Sequence, residues 1–250
     1  MHRPFAPHPL CALLLALAAT PACADWHYVE AQRTVAAPAE AFVIGRDSTV
    51  WTTGFSGLRR IDAAGNVTLT DGPQHSLDWT GDNYRFGATL PDGGIVIAEL
   101  SNAFTRLDAN GRLRWRNEND RATRVRANAA GDIWVVDGDG PARLRDDGTV
   151  ANRIDGIAFE HLGPPRAITV DAVGSAIVAT ASITLKAARN GTLLWRQDSV
   201  GNVREILTTP DTGLTLVGDD EYRSTAVGAL MVRRIDTQTG AQRWSRTVSG

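Results

Sequence analysis

The segment Asp236-Thr237-Gln238-Thr239-Gly240-Ala241-Gln242-Arg243-Trp244 recurs in weaker form upstream, which restricts the chain to architectures assembled from one repeated unit. Two copies keep the glycine and the tryptophan: Asp108-Ala109-Asn110-Gly111-Arg112-Leu113-Arg114-Trp115 and Arg189-Asn190-Gly191-Thr192-Leu193-Leu194-Trp195. Eroded copies stand at Asp147-Gly148-Thr149-Val150 and Ala64-Gly65-Asn66-Val67. Ahead of each copy lie two short apolar runs separated by a turn. Examples are Ala88-Thr89-Leu90 with Ile95-Val96-Ile97, and Ile168-Thr169-Val170 with Ala176-Ile177-Val178. Short β-branched runs punctuated by Gly, Asp and Pro form hairpins.

The first turn of each unit is placed at Ser48, Gly94, Gly131, Gly174 or Gly213, and the second at Gly65, Gly111, Gly148, Gly191 or Gly240. The second follows the first by 17 residues in four units and by 27 in the fifth, so the fifth carries a ten-residue insertion. Two hairpins in series make a four-stranded unit. Successive second glycines are 46, 37, 43 and 49 residues apart, the length of a propeller blade. The fold expected is all-β: a β-propeller of four-stranded antiparallel blades over 41–72, 83–119, 123–156, 165–199 and 203–248. Five repeats are visible, as a closed five-bladed ring or as part of a larger one.

Residues 1–24 read as a secretory signal, with His2 and Arg3, the apolar run from Leu10 to Ala19, and the small-x-small site Ala22-Cys23-Ala24. Residues 25–40 then supply an N-terminal strand and a Pro/Ala-rich joint. The expected location is the bacterial periplasm or the exterior, with lipidation at Cys23 as the alternative. Cys11 and Cys23 both fall in the leader, so the mature chain would have no thiol or disulfide chemistry. With 43% hydrophobic and 22% charged residues and a net charge of -2, no nucleic acid and no membrane span after signal cleavage are expected.

The third strand of each unit pairs a basic residue with a small or aliphatic one: Arg60-Ile61, Arg106-Leu107, Arg143-Leu144, Lys186-Ala187 and Arg234-Ile235. Strand periodicity puts the two on opposite faces, the aliphatic one packing between units and the basic one at solvent or at an interface carboxylate. Trp115, Trp195 and Trp244 lie four residues after the turn glycine, where an indole can cap the contact to the next unit and donate its N–H to a neighbouring backbone group. Trp51 and Trp134 fall on second strands and belong to the core.

Chemistry is sparse. His27, His75 and His161 are far apart and lack metal-ligand spacing. Asp137-Gly138-Asp139-Gly140 opens like a calcium loop but has no later glutamate, so it reads as a turn. Lys186, the only lysine, follows no phosphate loop, and no G-x-S-x-G elbow is present. No catalytic residue, metal ligand or cofactor is assigned. The remaining signal is loop asymmetry: the links between strands two and three and between units belong to the face opposite the tight turns. They carry the candidate ligand-binding residues His75, Asp78, Trp79, Asp82, Tyr84, Glu160, His161, Asp219, Asp220, Glu221 and Tyr222. The expected partner is a protein or a small molecule.

The sequence Asp236-x-x-Thr239-Gly240-x-x-x-Trp244 resembles the repeat of the quinoprotein-like β-propellers. That resemblance, spread over about 41 to 250, implies one of two activities: a dehydrogenase using pyrroloquinoline quinone and calcium, or a non-enzymatic propeller of the kind that serves outer-membrane protein assembly. The dehydrogenases set a vicinal cysteine disulfide against the quinone, and the mature chain has no cysteine, so the non-enzymatic branch is expected. The alternatives are a propeller oxidoreductase or hydrolase with a site at the central channel mouth, and a truncated propeller without independent function.

Overall fold

Why each apolar run becomes a strand buried on both sides is visible in the computed structural model, which describes residues 41–44, 49–54, 57–69, 84–99, 102–118, 123–163, 165–198, 202–208, 213–219 and 230–248. The leader and the strand expected at 25–40 lie outside them. The first sheet comprises β1 (Ala41–Ile44), β2 (Val50–Gly54), β3 (Gly57–Ile61) and β4 (Val67–Leu69). The second is β5 (Tyr84–Thr89), β6 (Ile95–Glu99), β7 (Ala103–Leu107) and β8 (Leu113–Glu118), and the third is β9 (Arg124–Ala127), β10 (Ile133–Asp137), β11 (Gly140–Leu144) and β12 (Val150–Arg153). The fourth is β13 (Ala167–Val170), β14 (Ala176–Ala179), β15 (Ile183–Ala187) and β16 (Leu193–Asp198). The fifth is β17 (Asn202–Thr208), β18 (Gly213–Asp219), β19 (Leu230–Asp236) and β20 (Gln242–Val248). All five are antiparallel and in sequence order. A single 3-10 turn, Phe159–His161, interrupts the link between the third and fourth sheets.

The cores lie between sheets. Val96, Ala98 and Phe104 of the second sheet meet Val125, Ile133 and Val135 of the third, whereas Ile95, Ile97 and Leu107 turn the other way to Trp51 and Leu58 of the first. Trp134 and Val136 pack on Ile168, Val178 and Leu185 of the fourth sheet, and Ile177 and Ala179 pack on Ile206, Leu214 and Leu216 of the fifth. Alternate residues of one strand therefore serve two different cores, which explains why β6 and β10 read as unbroken apolar runs. Burying each such Ile, Val or Leu contributes about 1.5–3 kcal/mol.

First strands of consecutive sheets lie side by side, β1 by β5, β5 by β9, β9 by β13 and β13 by β17. The row is curved. Arg126 of β9 reaches Glu205 of β17 at 3.1 Å although a whole sheet separates them in sequence.

The third-strand pairs behave as expected. Leu107, Leu144, Ala187 and Ile235 each enter the core shared with the preceding sheet. The basic partners of Leu107 and Ala187 reach the following sheet: Arg106 lies 2.9 Å from Asp92 and donates to the Asp146 carbonyl, and Lys186 lies 2.9 Å from Asp171 and donates to the Thr237 carbonyl, whereas Arg143 and Arg234 bond Asn152 and Thr215 within their own sheets. Two turn assignments are corrected. The left-handed residue of the first turn in the second sheet is Gly93 (φ 78), one position before Gly94, and Gly213 is the opening residue of β18. At Gly94 the fixed 17-residue spacing fails because strand pairing, not chain position, decides which residue must turn. The ten-residue insertion falls at 220–229, between β18 and β19 and outside the described residues.

Candidate functional site

The chain leaves each sheet at two edges. At the tight-turn edge, an aspartate or asparagine closes many turns by accepting backbone N–H groups: Asp108 from Asn110 and Arg112, Asp171 from Val173 and Ser175, Asn128 from Ala130 and Asp132. Asp236 does the same for Gln238 and Thr239 and is also held by Arg243 at 2.6 Å. The Arg243 bond, then those amides, lower its carboxyl far below the ordinary range.

Turns of adjacent sheets interlock at this edge. Trp115 donates its indole N–H to the Asp146 carbonyl of the third sheet at 2.8 Å, and Trp195 donates to the Thr237 carbonyl of the fifth at 3.0 Å. The rings lie on the turn glycines: a Cβ added to Gly148 would come within 2.7 Å of Trp115, and one on Gly240 within 2.9 Å of Trp195. Trp134 bridges the third and fourth sheets through the Gly174 carbonyl at 3.0 Å. Trp115 and Trp195 therefore cap the next sheet as expected, whereas Trp244 is 45% exposed.

The opposite edge carries the candidate binding residues. Its links are mostly shorter than the sequence suggested: two residues join β10 to β11 and three join β14 to β15. These links close on their own side chains. The Asp137 carboxylate accepts from the Asp139 backbone N–H, and the Thr180 hydroxyl accepts from the Ser182 and Ile183 amides. Length at this edge resides in 220–229 and in the connections between sheets, 70–83 and 154–166.

Sequence reasoning missed two buried carboxylates here. Glu99 ends β6, accepts a bond from Thr105 and pairs with Arg116 at 3.1 Å; Arg116 also reaches Glu118 at 2.8 Å. Asp137 ends β10 and is gripped by both terminal nitrogens of Arg153 at 2.8 and 2.9 Å. Both guanidinium groups have raised pKa values, led by these bonds to Glu99 and Asp137. Asp137 is thereby committed to Arg153, which supports the turn reading of Asp137-Gly138-Asp139-Gly140 over a calcium loop. The signal was present: each acid terminates an apolar run, and each arginine follows the fourth-strand Trp115 or its counterpart Asn152.

No family model and no curated protein matches this chain. Solved structures match it by fold. A Bacteroides caccae protein of unknown function superposes with a TM-score of 0.55 at 12% identity, covering 89% of this chain and 85% of that one. The extracellular domain of a putative hybrid two-component system of B. thetaiotaomicron gives 0.55 at 12% identity over 81% of this chain. A second structure of a B. thetaiotaomicron extracellular domain, from a putative one-component system, gives 0.56 at 13% over 89%. The present chain covers 29% and 32% of those two longer chains.

Among the candidate residues, Glu160 and His161 are neighbours in the 3-10 turn. Its Phe159 is buried against Gly140, where an added Cβ would fall 2.8 Å from the ring, so this segment seals a core as well as offering His161 to solvent. Tyr84 opens β5 and Asp219 closes β18, which puts both backbones at the loop edge. His75, Asp78, Trp79, Asp82, Asp220, Glu221 and Tyr222 lie outside the described residues. Among the described residues, no group of three or more His, Cys, Asp and Glu side chains converges as a metal site, and no helix is long and apolar enough to cross a membrane.

Proposed function

We propose that the five sheets are blades of a β-propeller and that the chain is an exported, non-catalytic scaffold binding a protein or small ligand through its loop edge. The observation that carries this reading is the contrast between the two edges. One is interlocked by Trp115, Trp195 and Trp134 across sheet boundaries, and the other gives rise to the long links 70–83 and 220–229 with their acidic and aromatic residues. A rigid frame with variable links is the usual arrangement of a recognition module. Export is supported by the apolar leader and by two fold neighbours described as extracellular domains.

The test is a combined change of Asp219, Asp220 and Tyr222 to alanine, with partner capture from a cell-envelope extract of the source organism quantified by mass spectrometry. Capture should fall about tenfold if these groups form the centre of the interface, with the melting temperature unchanged. Equal capture by the variant overturns the reading.

A further inference from the structure

Arginine recurs where the first strands begin, at the loop edge. In the second sheet Ala98 pairs with Phe86 and Glu99 with Tyr84, which makes Arg85 the extra residue of a bulge; in the fifth, Val217 pairs with Glu205 and Gly218 with Val203, which does the same for Arg204. Arg166 holds that position in the fourth sheet, where its N–H bonds the Ala179 carbonyl one step before the Ala167–Ala179 pair. In the third sheet Thr123 bonds the Val136 carbonyl in the same way, and Arg124 follows it. Four consecutive first strands thus bring an arginine to within one residue of the same level.

These strands share the concave side of the curved row. From β9 the Arg126 guanidinium meets Glu205 of β17, two first strands away, at 3.1 Å. Arg124 lies on the same face of β9, two residues nearer the loop edge; Arg204 is bulged beside Glu205, and Arg166 precedes β13 between them. Since a guanidinium reaches two strands across here, the three arginines can converge on one group. Glu205 is the only acid in β1, β5, β9, β13 and β17, and Arg126 already holds it. The first strands are therefore basic in a chain whose net charge is -2. Arg204 is exposed, and Arg124 and Arg166 are half-buried. None of the three is without a partner, and a guanidinium, with several N–H donors, can add an oxyanion to the bonds it has.

We propose that Arg124, Arg166 and Arg204 form a binding site for a phosphate group, carried by inorganic phosphate or by a phosphate monoester, on the concave side of the first strands. The Arg126–Glu205 pair is its floor, one step further from the loop edge. Planar guanidinium forks bond phosphate oxygens two at a time, and cations arriving from three strands suit a tetrahedral dianion better than a single flat carboxylate. A concave surface of one sign also concentrates such anions before contact. The site lies at the loop edge but uses none of the link residues, and it does not rest on the scaffold reading.

Isothermal titration of the full chain at low salt with phenyl phosphate and with inorganic phosphate tests this, with acetate as the singly charged control. Saturable 1:1 binding of both phosphates at similar affinity identifies the bare group as the ligand, and preference for phenyl phosphate identifies an ester. Acetate should bind at least about tenfold more weakly. Arg204→Ala, at an exposed position, should weaken phosphate binding about tenfold with the melting temperature unchanged, and Arg204→Lys should recover part of it by restoring the charge without the fork. Arg114→Ala removes an equal charge from an exposed position on β8 and should leave binding unaltered. Failure of both phosphates to bind the native chain overturns the proposal, as does equal weakening by Arg204→Ala and Arg114→Ala, which marks diffuse charge and no site. Because the loop-edge triple variant keeps all three arginines, the two readings fail separately.

Discussion

Trp195 and Trp244 occupy the same position on the fourth strands of adjacent sheets, yet one is 9% exposed and the other 45%. Trp195 rests on Gly240 and donates to Thr237 of the next sheet. The turn glycine of the first sheet, Gly65, has the same left-handed backbone (φ 85), but an added Cβ there would meet nothing within 4 Å. The turn and the strand are locally built alike; what differs is whether a neighbour stands in front of them. A tryptophan at this position is therefore a latch only where a following sheet supplies a glycine turn to receive it.

Substitution at the two tryptophans gives the widest separation. Trp195→Ala should cost about 3–5 kcal/mol, because it empties a packed site and removes the bond to Thr237. Trp244→Ala should stay within about 0.5 kcal/mol, as for an exposed side chain. Urea unfolding of both variants measures the difference, and equal losses would break the comparison by showing that Trp244 is covered in solution.

The receiving turns sharpen it. Gly240→Ala combines a left-handed backbone with a Cβ 2.9 Å from Trp195 and should cost about 2–4 kcal/mol, whereas Gly65→Ala bears the backbone strain alone, about 1–2 kcal/mol. The excess at Gly240 is the latch contact, readable from the difference in unfolding midpoints.

Within a sheet, the Asp137–Arg153 pair offers a measure of cohesion that owes nothing to the junctions. Asp137→Ala leaves a 33% exposed guanidinium that still meets Asp139 at 3.2 Å and the Gly140 carbonyl, so the loss should be about 2 kcal/mol, below that for a fully buried pair. Thermal unfolding that places this loss above that of Trp195→Ala would show that the sheets fail before their junctions do.

The smallest effect is in the pH dependence. The folded-state carboxyl of Asp236 lies below its ordinary value of 3.8, chiefly through Arg243. Its contribution to stability is therefore complete above the ordinary carboxylate range and disappears as the pH falls through the depressed folded value. Asp236→Asn should lower the neutral plateau slightly and flatten the acid limb of the stability profile below about pH 4, so that the variant and the native chain converge in acid. An unaltered acid limb would remove the Asp236–Arg243 bond from the turn that receives Trp195.

Strands and the two turn classes were legible from the sequence because they depend on local chemistry. Alternating apolar residues, turn acids such as Asp108 and Asp171, and glycines with left-handed backbones act within a few residues of one another. The same locality explains the error at Gly94, where constant spacing stood in for hydrogen-bond register. The basic residues of the third strands were placed on the face opposite their aliphatic neighbours, at solvent or an interface carboxylate, and Arg106 follows that reading because two-residue periodicity alone separates it from Leu107.

Most of the candidate site was not legible in this way. Loop chemistry marked His161 as available for binding, but not that Phe159 beside it is a buried plug against Gly140, a contact between segments 19 residues apart. Nor did the sequence show that Glu99 and Asp137 are committed to Arg116 and Arg153, because each pair closes across strands. By itself the sequence determined a repeated four-stranded unit and the positions of its indoles and turn glycines. Only the tertiary structure decided which indole meets a turn, which remains in solvent at Trp244, and that at Gly191 the Arg153 carbonyl stands where the other turns receive a ring, since each outcome depends on the surface presented by a neighbouring sheet.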